Sequence, residues 1–184
     1  SRPYAQLYEN INNTAFDMHK YKHTTMGFLK YIIDMPNQYE YSRELFKRFY
    51  RPEYSTIIVV GDVTPEKVNA LAEKYFGDWE KGNYVSVVAP EPPQQGVRYT
   101  HLQNAGIPPL LSLSYKGPAF SDKEIDMPAL DVLTTIVFSQ TSDLYKKLVL
   151  TEQKVRFIGG GASDTRDPYL ITIQTSLIKK EDLQ

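Results

Sequence analysis

Cysteine is absent from this 184-residue chain, which excludes disulfides and thiolate chemistry. An excess of either charge is missing too: 21 basic residues face 22 acidic ones, for a net charge of -1. That balance argues against a dedicated nucleic-acid binder, which needs a basic face to neutralise phosphates. No apolar run approaches the about 18 residues of a membrane-spanning helix. The start, Ser1-Arg2-Pro3, shows no signal-peptide pattern of basic, apolar and small residues. The serines never fall into a Gly-x-Ser-x-Gly elbow, and no pair of acids is placed as a glycosidase would require.

What remains has the size of one large or two small domains. Both ends read as cut, since the chain stops at Lys179-Lys180-Glu181-Asp182-Leu183-Gln184 like a helix barely begun; a segment of a longer protein is expected. Leu7, Ile11, Ala15 and Met18 recur at helical spacing. A second helix is expected from Thr24 or Thr25 to just before Pro36, and a third through Tyr41, Leu45, Phe46 and Phe49, closed by Pro52. Ile57-Ile58-Val59-Val60 then reads as a strand buried on both faces. Thr64-Pro65 starts a further helix, with Thr64 as its cap and Pro65 in the first helical position.

Pro90 to Gly96 is proline-rich and free of apolar side chains, the best linker candidate. Beyond it, strands are expected at Val97–Leu102 and Leu110–Tyr115. A helical region covers 127–153, broken near Ser139-Gln140-Thr141-Ser142, where Ser142 caps its second half. Strands at Val155–Ile158 and Tyr169–Ile178 follow, with Gly159-Gly160-Gly161 and Asp164–Pro168 as the loop of a hairpin. The order predicts an α+β fold with antiparallel or mixed sheets and helices packed on one side of each.

Three histidines are the only imidazoles. His19 and His23 are four residues apart, which on a helix places both on one face and could seat a metal. No Glu lies between them to act as a base, and Lys20 and Lys22 would oppose a cation. An exposed or loop-packing pair is the reading that follows, with His101 as a structural residue. The 14 tyrosines crowd at Tyr39, Tyr41, Tyr50 and Tyr54 beside Phe46 and Phe49, expected to form an aromatic mini-core; the alternative is a surface for a partner domain or peptide.

The run Asn13 to Tyr21 with Thr24-Thr25-Met26-Gly27 resembles a signature of the pitrilysin/insulinase family of zinc metallopeptidases (inverted zincins), in which Ala-Phe precedes His-Pro-Tyr and then a Gly; Lys20 stands where Pro is usual. Phe49-Tyr50-Arg51-Pro52, Ile57 to Val63, Gly117-Pro118-Ala119, Asp126 to Leu130 and Ser142 to Leu148 continue the resemblance in order over nearly the whole chain. It implies two homologous α+β domains: residues 1–82 as the end of the first, 83–96 as linker, and 97–184 as a truncated second. It also implies four such domains in two bowls around a chamber where peptides are cleaved.

The family's His-x-x-Glu-His is absent, and by its layout that motif and the distal Glu ligand precede Ser1. The resemblance therefore implies zinc in the parent protein, no metal ligand or catalytic residue in this chain, and no peptidase activity of this chain alone. The positions matching the substrate-holding Arg and Tyr of the family's other half are Val149 and Arg156, which fits the metal-bearing half. His19, Tyr21 and His23 are the candidate residues for touching substrate or supporting the site. Expected partners are peptide substrates and the remaining domains of the same chain or a homologous subunit, with neither nucleic acid nor a membrane span. The function implied is scaffold and chamber wall of a zinc endopeptidase; the alternative is a segment of an inactive family member that serves as a partner subunit. Zero cysteine and the family's habit lean towards a periplasmic or secreted location.

Overall fold

The computed structural model describes residues 3–103 and 106–183. Helix α1 (Pro3–Ala15) leads into a 3-10 turn at Lys20–Lys22. Three helices follow: α2 (Leu29–Ile33), α3 (Tyr39–Phe49) and α4 (Pro65–Phe76). Then come β1 (Leu110–Lys116), α5 (Asp126–Phe138), α6 (Asp143–Tyr145), which runs into a π-helical turn at Lys146–Thr151, β2 (Val155–Gly161) and β3 (Leu170–Leu177). The strands form one antiparallel sheet in the order β1-β3-β2, so the fold is α+β. None of the helices formed by the described residues is long and apolar enough to cross a membrane.

Local chemistry explains several boundaries. Thr64 accepts the Lys67 N–H through its side chain and Pro65 occupies the first turn of α4, as the sequence predicts. Ser142 Oγ accepts the Tyr145 N–H at 3.0 Å and restarts the helical region after its break. The helix expected from Thr24 or Thr25 instead has Phe28 at its cap, without a side-chain hydrogen bond, and continues past Asp34 as a 3-10 turn containing Pro36.

Two compact units divide the chain: residues 1–24 with 90–184, and residues 25–89. This division differs from the expected one at 82, and residues 17–19 bind to Glu91 within what reads as a bare proline-rich linker. The first unit holds the sheet and every buried residue. In the second unit no residue is buried. Ile57–Val60 accordingly forms no strand there, and Ile58 and Val60 are 80% and 92% exposed; an extended run needs a neighbouring strand to satisfy its backbone, and this unit contains none. Val97–Leu102 likewise joins no ladder. Phe46 and Tyr50 stack on each other at 4.5 Å, and Phe49 meets Tyr84 edge-on at 5.2 Å, but the first pair is exposed and the second only half-buried, so no mini-core closes.

Gly159-Gly160-Gly161 lies within β2, not in the loop, paired with Gln174, Ile173 and Thr172 of β3. Phe138 of α5 explains the middle glycine: a Cβ on Gly160 would sit 2.5 Å from its ring.

Candidate functional site

The segment after α1 carries two of the three residues singled out from the sequence into a buried cluster. Phe16 is fully buried and His19 is 5% exposed. Phe16 stacks on Tyr169 at 5.7 Å, His19 lies 4.2 Å from the Tyr21 ring, and Tyr21 meets Tyr169 edge-on at 4.9 Å. Tyr169 stands just before β3, and its hydroxyl donates to Asn12 of α1 at 2.8 Å, so the sheet and the first helix fix the cluster from two sides.

His19 caps the 3-10 turn: its Nδ1 accepts the Tyr21 N–H at 3.1 Å. The proton of the neutral ring then belongs on Nε2, which lies 3.4 Å from Asp167 Oδ2. That separation is long for a hydrogen bond, and among the described residues Nε2 has no other partner. Asp167 is held below the usual aspartate range, first by its hydrogen bonds from Arg166 and then by His19. His23 is not on the same face as His19. It ends the turn in extended backbone, exposed, with Nδ1 3.0 Å from the Thr24 carbonyl. A single 3-10 turn between two extended residues destroys the helical spacing that could have joined them on one metal. His101 is exposed.

Beneath the cluster is a charge network that the sequence does not advertise. The Glu91 carboxylate accepts the N–H groups of Asp17, Met18 and His19 at 2.7, 2.9 and 2.9 Å. Burial pushes its pKa up, but those three amides and the nearby Lys116 outweigh burial and hold it down to about 2. Lys116 Nζ sits 3.4 Å from the Phe16 ring centroid and 3.8 Å from Glu91, a cation over an aromatic face. Arg98 grips Asp17 through both terminal nitrogens and donates to the Thr14 carbonyl.

Chemically, the arrangement positions a backbone segment. One nitrogen of His19 accepts a main-chain N–H and the other faces a carboxylate, so the ring is placed to hold the segment in position. Among the described residues no group of three or more metal-ligating side chains comes together, so the described residues do not fit a zinc site.

Comparison with known proteins completes the description. A family model described as Peptidase M16 inactive domain matches residues 38–183. A curated relative, "Zinc protease PqqE" of Helicobacter pylori, is 31% identical over 139 residues, covering 73% of this chain and 30% of the relative. A solved structure described as a protease from Helicobacter pylori superposes with a TM-score of 0.79 at 26% identity, covering 97% of this chain and 43% of the other. The chain thus spans less than half the length of both relatives.

Proposed function

This chain belongs to the peptidase M16 family of zinc metallopeptidases, and from that premise we propose that it is the non-catalytic scaffold and chamber wall of a zinc-dependent endopeptidase acting on peptides. The observation that carries the reading is the match of an inactive-type domain across residues 38–183. The site chemistry supports it: His19 and Tyr21 are spent on holding the segment 16–23 against the sheet. Zinc ligands and the base that activates water then come from outside these residues. The zinc named in the relative's description supports placing such a metal elsewhere in the longer protein.

Zinc content of the protein as its gene encodes it, purified without added metal, tests the reading. About one zinc per chain, together with peptide cleavage that a chelator abolishes, is the expected result. A protein without zinc and without cleavage overturns it in favour of a homologous partner subunit.

A further inference from the structure

The end of α3 carries positive charge that the described residues do not neutralise. Glu44, Lys47 and Arg48 share one face of the helix at i, i+3 and i+4 spacing, and Arg51 follows two residues past its end. Basic side chains are ordinary at a helix C-terminus, where they offset the carbonyl end of the dipole. That accounts for part of the set. Arg51 Nε donates to the Lys47 carbonyl at 2.6 Å, and Lys47 Nζ pairs with Glu44 at 3.0 Å. It leaves Arg48 and the terminal nitrogens of Arg51 without a role. Among the described residues no carboxylate forms an ion pair with either guanidinium.

These groups line an open cavity of about 410 Å³ shared with residues 82–85. That second wall is fixed in place. The Gly82 N–H donates to Glu53 at 2.8 Å and the Tyr54 hydroxyl donates to the Tyr84 carbonyl, so the 3-10 turn Pro52–Tyr54 pins the stretch at two points. The Tyr84 ring carries the Arg48 guanidinium 5.6 Å from its centroid and meets Phe49 edge-on. Each arginine is thus oriented by a contact that leaves donors over: Arg51 through its Nε, Arg48 through its flat face. Asn83 adds an amide donor to the same wall. Lys47, Arg48 and Arg51 against Glu44 alone leave the lining with two positive charges in excess.

A ligand suited to this cavity carries a compact double negative charge and several acceptor oxygens. Guanidinium forks take phosphate oxygens two at a time, whereas a single carboxylate fills one fork and leaves the second charge unmet. Stacking of an aromatic ligand is not on offer, because the Tyr84 ring is already engaged by Arg48 and Phe49. We propose that this cavity binds a phosphate-bearing anion through Arg48 and Arg51, with Asn83 as a further donor. The site lies wholly within residues 25–89 and does not depend on peptide cleavage.

Calorimetric titration with inorganic pyrophosphate at about 0.15 M salt, on the protein as its gene encodes it, is the test. Saturable binding with a Kd below about 1 mM is expected, weakening as salt rises. Arg48→Gln and Arg51→Gln should each weaken it about tenfold or more. Arg48→Lys and Arg51→Lys should keep only part of the affinity, since an ammonium lacks the fork. Arg43→Gln removes the same charge from α3 outside this cavity, where Arg43 faces Glu40 at 3.8 Å, and should change affinity by less than about twofold. O-phosphoserine in place of pyrophosphate tells an ester-linked group from a free one by which binds more tightly. Absence of saturable binding overturns the proposal. So does affinity unchanged in both glutamine variants, which would put the anion elsewhere, on a metal included. A tetraglutamate peptide that binds as tightly as pyrophosphate would overturn phosphate in favour of an acidic polypeptide. Circular dichroism checks folding, and the lysine variants keep the charge should a glutamine variant unfold.

Discussion

The Glu91 carboxylate accepts the backbone N–H of His19 at 2.9 Å, joining the segment after α1 to a residue flanked by prolines on both sides. Asp17 and Met18 donate to the same carboxylate, so one side chain satisfies three successive amides. Glu91→Gln keeps the shape but loses the charge and turns one acceptor oxygen into a donor facing these N–H groups. The expected loss is about 1–3 kcal/mol, measured by denaturant unfolding against the unsubstituted protein.

The same carboxylate predicts an acid response. Its folded value of about 2 lies below the ordinary glutamate value of 4.5. A depressed carboxylate adds stability above its unfolded value and loses that stability as pH falls towards the folded one. Unfolding midpoints should therefore drop between about pH 5 and pH 2, and Glu91→Gln should flatten that slope. Parallel slopes for the two proteins would show that the three amides do not depend on the charge.

His19→Ala removes a buried ring, the acceptor for the Tyr21 N–H and a neighbour of Phe16. A loss of about 2–4 kcal/mol is expected. Asp167→Asn should cost less, because an amide oxygen can still face Nε2–H. Comparing the two melts separates the ring's packing from its contact with the acid; equal losses would place the whole effect on the Asp167 side.

Local signals were legible where one residue decides a boundary. Thr64 and Ser142 are caps whose hydroxyls do what their position predicts, and the alternation from Leu110 to Tyr115 is a strand. The cluster around His19 was only half visible. The sequence marks His19 and Tyr21, but Glu91 acts on backbone amides, which leave no trace in residue spacing. Asp167 and Lys116 reach the cluster through the pairing of β1 with β3 and the loop before β3, so only the tertiary fold announces them. His23 misleads because a four-residue interval implies one face only if the intervening turn is α-helical, and here it is 3-10.

Ile57–Val60 failed as a strand for a different reason: β character is a property of a partnered segment. Exposed apolar runs promote association. Ile58→Lys should change stability by less than about 0.5 kcal/mol while lowering binding of a hydrophobic dye and slowing aggregation. A large stability loss would mean that the residue is covered in solution.

Adjacent glycines in β2 should respond in opposite directions to the same substitution. A Cβ on Gly160 would lie 2.5 Å from Phe138 Cε2, whereas one on Gly159 meets nothing within 4 Å. Gly160→Ala must therefore push Phe138, and with it the end of α5, away from the sheet, an overpacking cost of about 1–3 kcal/mol. Gly159→Ala leaves the packing alone and restricts the unfolded chain, a gain of about 0.4–1 kcal/mol. Gly160→Ala combined with Phe138→Leu supplies the control, because a smaller side chain at 138 should recover part of the loss. Recovery in the double variant would show that the middle glycine is required by the helix above it. Additive losses would instead trace its presence to the strand itself.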